Sequence, residues 1–221
     1  MRKESPSNGE YYHVFNRGVD KRTVFLDQND FRRFFQSMEE FNAIKPIGSI
    51  YENSFHKDKK DQLGQLGSST SKQDKLVNFI CYCLNPNHYH FILEQVVNRG
   101  IEKFMHRLGT GYTKYFNKKN KRNGVLFQGR YKINCICSNE DLLYLSAYVN
   151  LNDKVHRLGS STSKSSYGEY FNVDNHEDRG IFCKKDIILK QFKDQFEYKK
   201  FAEGSLEEIK AIRDFRNVLL E

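Results

Sequence analysis

The segment CLNPNHYHFIL, Cys83–Leu93, is the most informative part of the sequence. Pro86 and Asn87 predict a turn, and the apolar residues that follow predict a β-strand. Strand side chains alternate between the two faces of a sheet, so His88 and His90 are expected on one face, about 7 Å apart along the backbone. The residues between and after them are expected to face a core.

Two imidazoles on one strand face can bind one divalent metal ion. A His-x-His pair in a strand is also found as two histidines on a solvated sheet face, so the pair alone leaves both interpretations open. The rest of the chain therefore has to distinguish a metal site from a polar surface.

Length and composition predict one soluble folded domain. The chain has 221 residues, enough for one sizeable core, and its 18 Phe and 13 Tyr argue against global disorder. No apolar run approaches the roughly 20 residues of a membrane helix, and residues 1–6 contain no apolar signal core. Five cysteines without a C-x-x-C motif fit a reducing compartment. We therefore expect a cytoplasmic protein that does not bind membranes.

Positive charge is concentrated in one stretch of the chain. The formal net charge is +8, and residues 102–132 contain nine Lys or Arg but one acid, Glu102. Aromatic residues are interleaved with these cations. Basic groups neutralise phosphates and aromatic rings stack on unpaired bases, so this segment favours nucleic-acid binding over an ordinary solvated helix face.

Hydrophobic periodicity predicts alternating strands and helices. The expected strands are 10–17, 49–52, 76–84, 88–95 and one within 125–137, and the expected helices are those beginning near Asp27, near Asn98 and near Ser138. A single antiparallel sheet with helices on one face is the α+β arrangement that suits this order.

Two polar segments and a charged tail divide the chain. The predicted domain is 1–158, with a polar insertion at about 53–74, followed by a linker or insert at 159–183 and a small helical C-terminal tail at 184–221. The heptapeptide LGSSTSK occurs at 66–72 and again at 158–164, and both copies are predicted to be surface inserts.

The last helix of the predicted domain carries Tyr144, Tyr148 and Asn152 at intervals of four residues. These side chains therefore lie on one side of the helix. Taken alone, tyrosines at this spacing are more typical of core or interface positions than of a catalytic site.

Four segments, in this order and spacing, carry a family resemblance: NRGVDKRTVFL, LNPNHYHFIL, GVLFQGRY and YVNLND. Together they resemble the single-tyrosine HUH transposases of the insertion-sequence type, and the REP-associated tyrosine transposases most of all. The resemblance covers about 11–158 apart from the insertion, and it implies a ferredoxin-like HUH endonuclease fold. The chain departs from the family pattern at Asn85, Phe127 and Asp153, where Met, Trp and Pro are common.

The resemblance implies a DNA transposase that is also a single-strand endonuclease and strand transferase. Tyr148 would be the nucleophile that forms a 5′-phosphotyrosine, and His88, His90 and Asn152 would bind Mg²⁺ or Mn²⁺. The partner would be single-stranded DNA beside a hairpin, and both a monomer and a homodimer are compatible with the family. The candidate DNA contacts are Arg17, Lys21, Arg22, Arg107, Lys114, Arg122, Arg130 and Lys132.

Several alternatives stay open at this point. The chain could be a non-catalytic, domesticated hairpin-DNA-binding protein of the same fold, or a replication initiator or relaxase with the same His-x-His logic. A hydrolase of small phosphates fits the basic segment least well. Tyr144 and Tyr112 are alternative nucleophiles to Tyr148.

Overall fold

The computed structural model describes residues 5–51, 75–158, 162–171 and 183–218. The polar insertion predicted at 53–74 lies outside these residues. Within the described part of the chain, no helix combines the length and the apolar character that crossing a membrane requires.

The described residues include five strands, six α-helices and two 3-10 helices (Val19–Lys21 and Gly168–Phe171). The strands are β1 (Tyr11–Arg17), β2 (Val77–Asn85), β3 (His88–Gln95), β4 (Lys132–Ile136) and β5 (Lys164–Ser165). The helices are α1 (Gln28–Glu40), α2 (Gly100–Lys119), α3 (Asn139–Asn150), α4 (Asn152–Val155), α5 (Asp186–Leu189) and α6 (Gln195–Val218).

The strands form one sheet in the order β4-β1-β3-β2-β5, and every neighbouring pair is antiparallel. Pro86 and Asn87 are the two residues that connect β2 to β3, since Asn85 pairs with His88. The predicted antiparallel α+β fold is therefore confirmed.

The helices lie on both faces of the sheet, which corrects the prediction that they cover only one. Helices α1 and α2 pack on the face that carries Tyr89 and Phe91. Helices α3 and α6 pack on the other face, with Ile92 of β3. The reason lies in β2, which is buried along almost its whole length and so needs cover on both sides.

The described residues of the predicted linker or insert at 159–183 pack against the domain. Lys164 and Ser165 form β5, which pairs with the outer edge of β2, and Tyr170 is fully buried. The edge of β2 has backbone groups that need partners, and this short strand supplies them. The described residues 49–51 of the strand expected at 49–52 do not form a strand, because Ile50 and Tyr51 have helical backbone.

Helix α3 begins where the sequence predicts. Ser138 is its N-cap and accepts a hydrogen bond from the backbone N–H of Asp141 at 3.0 Å. The helix ends at Asn150, and α4 starts two residues later at Asn152. Ala147 and Val149 are buried in the core between α3 and the sheet, which fixes the rotation of α3 about its own axis.

Candidate active site

Strands β1 and β3 bring three histidines together on the sheet face that α3 covers, here called the histidine face. His13 Nε2 lies 2.9 Å from His90 Nδ1, and both side chains are buried. Phe15 stacks on both rings, with centroid distances of 4.9 Å to His13 and 5.4 Å to His90. The ring of His88 lies 5.2 Å from that of His90. His13 therefore holds His90 in place from the neighbouring strand.

His88 is oriented by the turn that precedes it. Its Nδ1 lies 2.6 Å from Asn87 Oδ1, an acceptor, so Nδ1 carries the proton of the neutral ring. Its Nε2 is then an acceptor, and this atom lies 3.2 Å from Asn152 Oδ1. The same Asn87 side chain donates through Nδ2 to the backbone oxygen of Lys21 at 3.1 Å. Asn87 thus connects the basic loop after β1 to His88.

Helix α3 places Tyr148 over the buried histidines. The Tyr148 ring meets His90 edge-on at a centroid distance of 5.5 Å and meets His13 in the same way at 6.1 Å. Tyr148 is half-buried and packs against the core on this face. The residue that the resemblance implies as nucleophile therefore lies beside the His-x-His pair.

Asn152 lies at the centre of the same site. It is fully buried, and its Oδ1 accepts a hydrogen bond from Asn85 Nδ2 at 2.7 Å. Its Nδ2 is buried without a hydrogen-bond partner, which is unusual for a buried amide. The Asn152 NH₂ group can therefore donate to a further polar group, while its Oδ1 stays beside the acceptor nitrogen of His88.

The residues present fit a divalent metal ion. Among the residues that the structure describes, no three His, Cys, Asp or Glu side chains are grouped to hold one, so the third protein ligand would have to be an amide oxygen such as that of Asn152. Burial, and next the neighbouring His13, hold the pKa of His90 well below its ordinary value. His90 is therefore neutral at physiological pH, the form that binds metals.

Three residues of the site were not singled out as site residues from the sequence: His13, Asn85 and His156. The His156 ring lies 4.7 Å from that of His88. Because His156 follows Asn152 by four residues, helical spacing could have predicted that it lies on the same side as Tyr148 and Asn152. His13 could be placed only once β1 was known to pair with β3.

Of the eight candidate DNA contacts, two lie beside the histidines. Arg17 pairs with His88 across β1 and β3, and its Nε donates to the side chain of Gln128. Lys132 places its Nζ 5.9 Å from the ring centroid of Phe15. Both side chains are exposed, so they present positive charge at the edge of the site.

The other six candidates lie further away or have structural contacts. Lys21 and Arg22 belong to the loop after β1, and Lys114 is exposed on α2, which covers the opposite face. Three arginines make hydrogen bonds within the chain. Arg107 donates to the backbone oxygens of Ala43 and Ile44. Arg122 donates to the Asn117 side chain and the Val125 backbone oxygen, and Arg130 donates to the Glu102 carboxylate.

The two alternative nucleophiles lie in different places. Tyr112 is buried on the opposite face, and its hydroxyl donates to the backbone oxygen of Val24 at 2.6 Å. Burial raises its pKa far above the ordinary value, which disfavours the reactive phenolate. Tyr144 lies one turn before Tyr148 on α3 and is half-buried. Tyr144 is thus the closest internal comparison for Tyr148.

An antiparallel sheet with a His-x-His strand, whose histidines face a tyrosine-bearing helix on the same side of the sheet, is the arrangement implied by the resemblance to HUH transposases. Residues 49–152 match the family model described as "Transposase IS200 like". This segment, which contains His88, His90, Tyr148 and Asn152, belongs to that family, and the resemblance predicted from the sequence is confirmed.

Two further comparisons, with solved structures and with curated proteins, are less informative than the family match. A solved structure described as "Structure of the REP associates tyrosine transposase bound to a REP hairpin" is similar to this chain, with a TM-score of 0.49 and 14% sequence identity. The similarity covers 85% of this chain and 92% of that one. No curated protein matches the chain.

Proposed function

We propose that this protein cuts and rejoins single-stranded DNA near hairpins, with Tyr148 as the nucleophile and a divalent metal ion bound by His88, His90 and Asn152. One observation carries the proposal. A single helical segment, α3 continued by α4, sets the Tyr148 ring against His90 and the Asn152 amide against His88. The Tyr148 phenol and the Asn152 amide, the proposed nucleophile and the proposed third metal ligand, therefore lie beside the same pair of histidines.

The reaction is a transesterification. The Tyr148 hydroxyl oxygen attacks phosphorus, a tyrosyl O–P bond forms, and the P–O3′ bond of the DNA breaks. The phenol loses its proton and the departing 3′ oxygen gains one, so atoms and charges balance. The phosphotyrosine is itself a phosphodiester, so a 3′-OH can reverse the step and join strands without ATP. Bound Mg²⁺ or Mn²⁺ would polarise the scissile phosphate.

The chain's own residues support this chemistry in other ways. His13 and Asn87 each contact the Nδ1 atom of one histidine of the pair, and such contacts orient metal ligands. Arg17 and Lys132 place positive charge at the edge of the site, where a DNA backbone would approach. The net charge of +8 adds longer-range attraction for phosphates.

The test is a denaturing gel of the purified protein with labelled, hairpin-flanked single-stranded DNA, in Mn²⁺ or in EDTA. Wild type is expected to give a heat-stable protein–DNA band that requires Mn²⁺. Tyr148→Phe is expected to lose the band and to keep salt-dependent DNA binding. Tyr144→Phe, which changes the same helix one turn earlier, is the matched control and is expected to keep the band.

The opposite outcomes are equally specific. A band that survives in Tyr148→Phe but is lost in Tyr144→Phe would transfer the role of nucleophile to Tyr144. Tight hairpin binding by wild type with no band in any divalent metal would favour the non-catalytic DNA-binding protein.

A further inference from the structure

Asn85 lies inside the proposed metal site, although the family resemblance assigns it no role and the family commonly has Met there. The side chain is fully buried at the end of β2. Its Nδ2 lies 2.7 Å from Asn152 Oδ1 and 3.0 Å from His88 Nε2. Both of these atoms are acceptors that the proposed function assigns to the metal. The Asn85 side chain therefore lies directly beside both proposed ligand atoms.

The three polar atoms form a compact triangle. The third edge, from His88 Nε2 to Asn152 Oδ1, measures 3.2 Å. In octahedral Mg²⁺ coordination, with ligands at about 2.1 Å, adjacent ligand atoms lie about 3.0 Å apart. The triangle of Asn85, Asn152 and His88 therefore has the dimensions of one face of such a coordination shell.

An amide can present either of its two ends to the same place. Rotation of the Asn85 side chain by about 180° would put its Oδ1 where Nδ2 lies and Nδ2 near Cys83 Sγ, which now lies 3.5 Å from Oδ1. A thiol can donate to a carbonyl or accept from an NH₂ group, so Cys83 tolerates both orientations of the Asn85 amide.

We propose that Asn85 is a further metal ligand of this protein, which binds the cation through its carbonyl oxygen after this rotation. The inference rests on the proposed function for the existence of the metal site and deepens it by adding a residue. With the carbonyl turned inward, three acceptors at these distances repel one another unless a cation lies between them. Rotation and cation binding are therefore coupled.

The resulting ligand set has a chemical consequence. Two imidazoles and two amides are all neutral, so the protein contributes no negative charge from these ligands. Nitrogen ligands favour Mn²⁺ over Mg²⁺, and the phosphate of the substrate would add the missing negative charge. Metal affinity in the absence of DNA is thus expected to be modest and sensitive to any added carboxylate.

The test measures binding of Mn²⁺ alone to the full chain, without DNA, by the electron paramagnetic resonance signal of free Mn²⁺ and by calorimetry. Asn85→Met, which installs the common family residue, is expected to weaken binding at least about 10-fold, since even outer-shell partners of metal ligands are worth about 10–100-fold. Asn85→Asp is expected to strengthen binding by at least about 10-fold, because it adds a charged oxygen. Leu84→Met, at the neighbouring residue of β2 that packs on the opposite face of the sheet, is the matched control, with affinity within about 2-fold of wild type.

Melting curves in EDTA and in Mn²⁺ show whether each variant is folded, and Asn85→Asp is expected to gain more from Mn²⁺ than wild type does. Equal Mn²⁺ affinity in wild type and Asn85→Met, or no binding by wild type, would overturn the proposal. The DNA adduct gel separates the two claims. If the protein forms the DNA adduct but its metal affinity does not depend on Asn85, only the role of Asn85 as a ligand is refuted. If metal binding depends on Asn85 but no adduct forms, only the transposase chemistry is refuted.

Discussion

The two faces of the sheet are built from the same strands but from different chemistry. On the face under α1 and α2, here called the aromatic face, rings pack on rings, as between Phe34 and Tyr112 at 4.8 Å and between Tyr89 and Phe91 at 4.7 Å. On the histidine face, the buried residues include His13 and His90. Strand alternation thus lets β3 anchor itself through one face and present its histidines on the other.

The difference matters for stability as well as for function. Apolar rings need no partners, but a buried polar group costs free energy unless it is hydrogen-bonded. The histidine face meets this need with side chains from distant segments. Tyr198 of α6 accepts from Asn150 Nδ2 at 2.9 Å, and Ser166 donates to Asn150 Oδ1 at 2.6 Å. Substitutions on this face should therefore change metal binding, stability or both, whereas those on the aromatic face should change stability alone.

The largest expected effect comes from comparing His13 with its neighbour Val14, which points to the aromatic face. His13→Phe keeps a ring beside Phe15 but removes the nitrogen that contacts His90 Nδ1. We expect Mn²⁺ affinity to fall about 10–100-fold, the usual result of losing such an orienting partner. Val14→Ala should leave Mn²⁺ affinity unchanged and lower the free energy of unfolding by about 2 kcal/mol.

Calorimetry with Mn²⁺ and urea unfolding in EDTA give the two readouts. His13→Gln, which retains an acceptor oxygen, should recover part of the lost affinity. If Val14→Ala weakens Mn²⁺ binding as much as His13→Phe does, the functional separation of the two faces is wrong.

A smaller effect is expected from removing one hydroxyl on each face. Tyr198→Phe leaves the buried Asn150 NH₂ without its acceptor, so the free energy of unfolding should fall by about 1–3 kcal/mol. Tyr115→Phe removes a bond to Asp30 Oδ1 at 3.1 Å from a half-buried ring, and we expect a loss of about 0.5–1 kcal/mol. Urea denaturation of both variants measures the difference. Equal losses would contradict the claim that buried polar groups on the histidine face depend more on their hydrogen bonds than those on the aromatic face.

The smallest effect concerns pH and the aromatic face. Asp27 caps α1, and its hydrogen bond with Lys119 at 2.8 Å holds the pKa of this carboxyl below its ordinary value. A lowered pKa stabilises the fold above the unfolded value of about 3.9, and this contribution is lost as pH falls through the folded pKa. Asp27→Asn retains a capping oxygen and should cost less than about 1 kcal/mol at pH 7, because the pair is half-exposed.

Thermal melts of wild type and Asp27→Asn between pH 2 and pH 7 test this point. The two melting temperatures should converge as the pH falls below about 4. A constant difference across the whole range would show that the Asp27 charge does not contribute.

The sequence was a good guide wherever local pattern determined structure. The hairpin through Pro86 and Asn87 and the cap at Ser138 follow from turn and capping chemistry, and the recognition of the family is confirmed. Helices on both faces and the strand at Lys164 were missed because both depend on how distant segments meet β2. The assignments of Tyr148, His88, His90 and Asn152 stay predictions for the adduct and metal experiments.

The site also contained information that only packing could reveal. His13 is one residue among several on β1 until the register with β3 places it against His90. In the sequence, Asn85 was noticeable only as a departure from a family pattern. Its proposed role as a metal ligand depends on the three distances among Asn85, Asn152 and His88. Arg107 and Arg122 show the reverse case, since charge alone suggested DNA contacts and the structure places both guanidinium groups on nearby oxygens of the chain.

The contact between α6 and α3 also has a consequence for the nascent chain. Synthesis proceeds from the N-terminus, so β1 to β4 and helix α3 leave the ribosome before Tyr198 does. Until residues 195–210 emerge, Asn150 lacks the Tyr198 hydroxyl and α3 lacks its outer cover. In the nascent chain the helix that carries Tyr148 therefore lacks this cover, and the packing around Tyr148 is complete only after most of the polypeptide has been made.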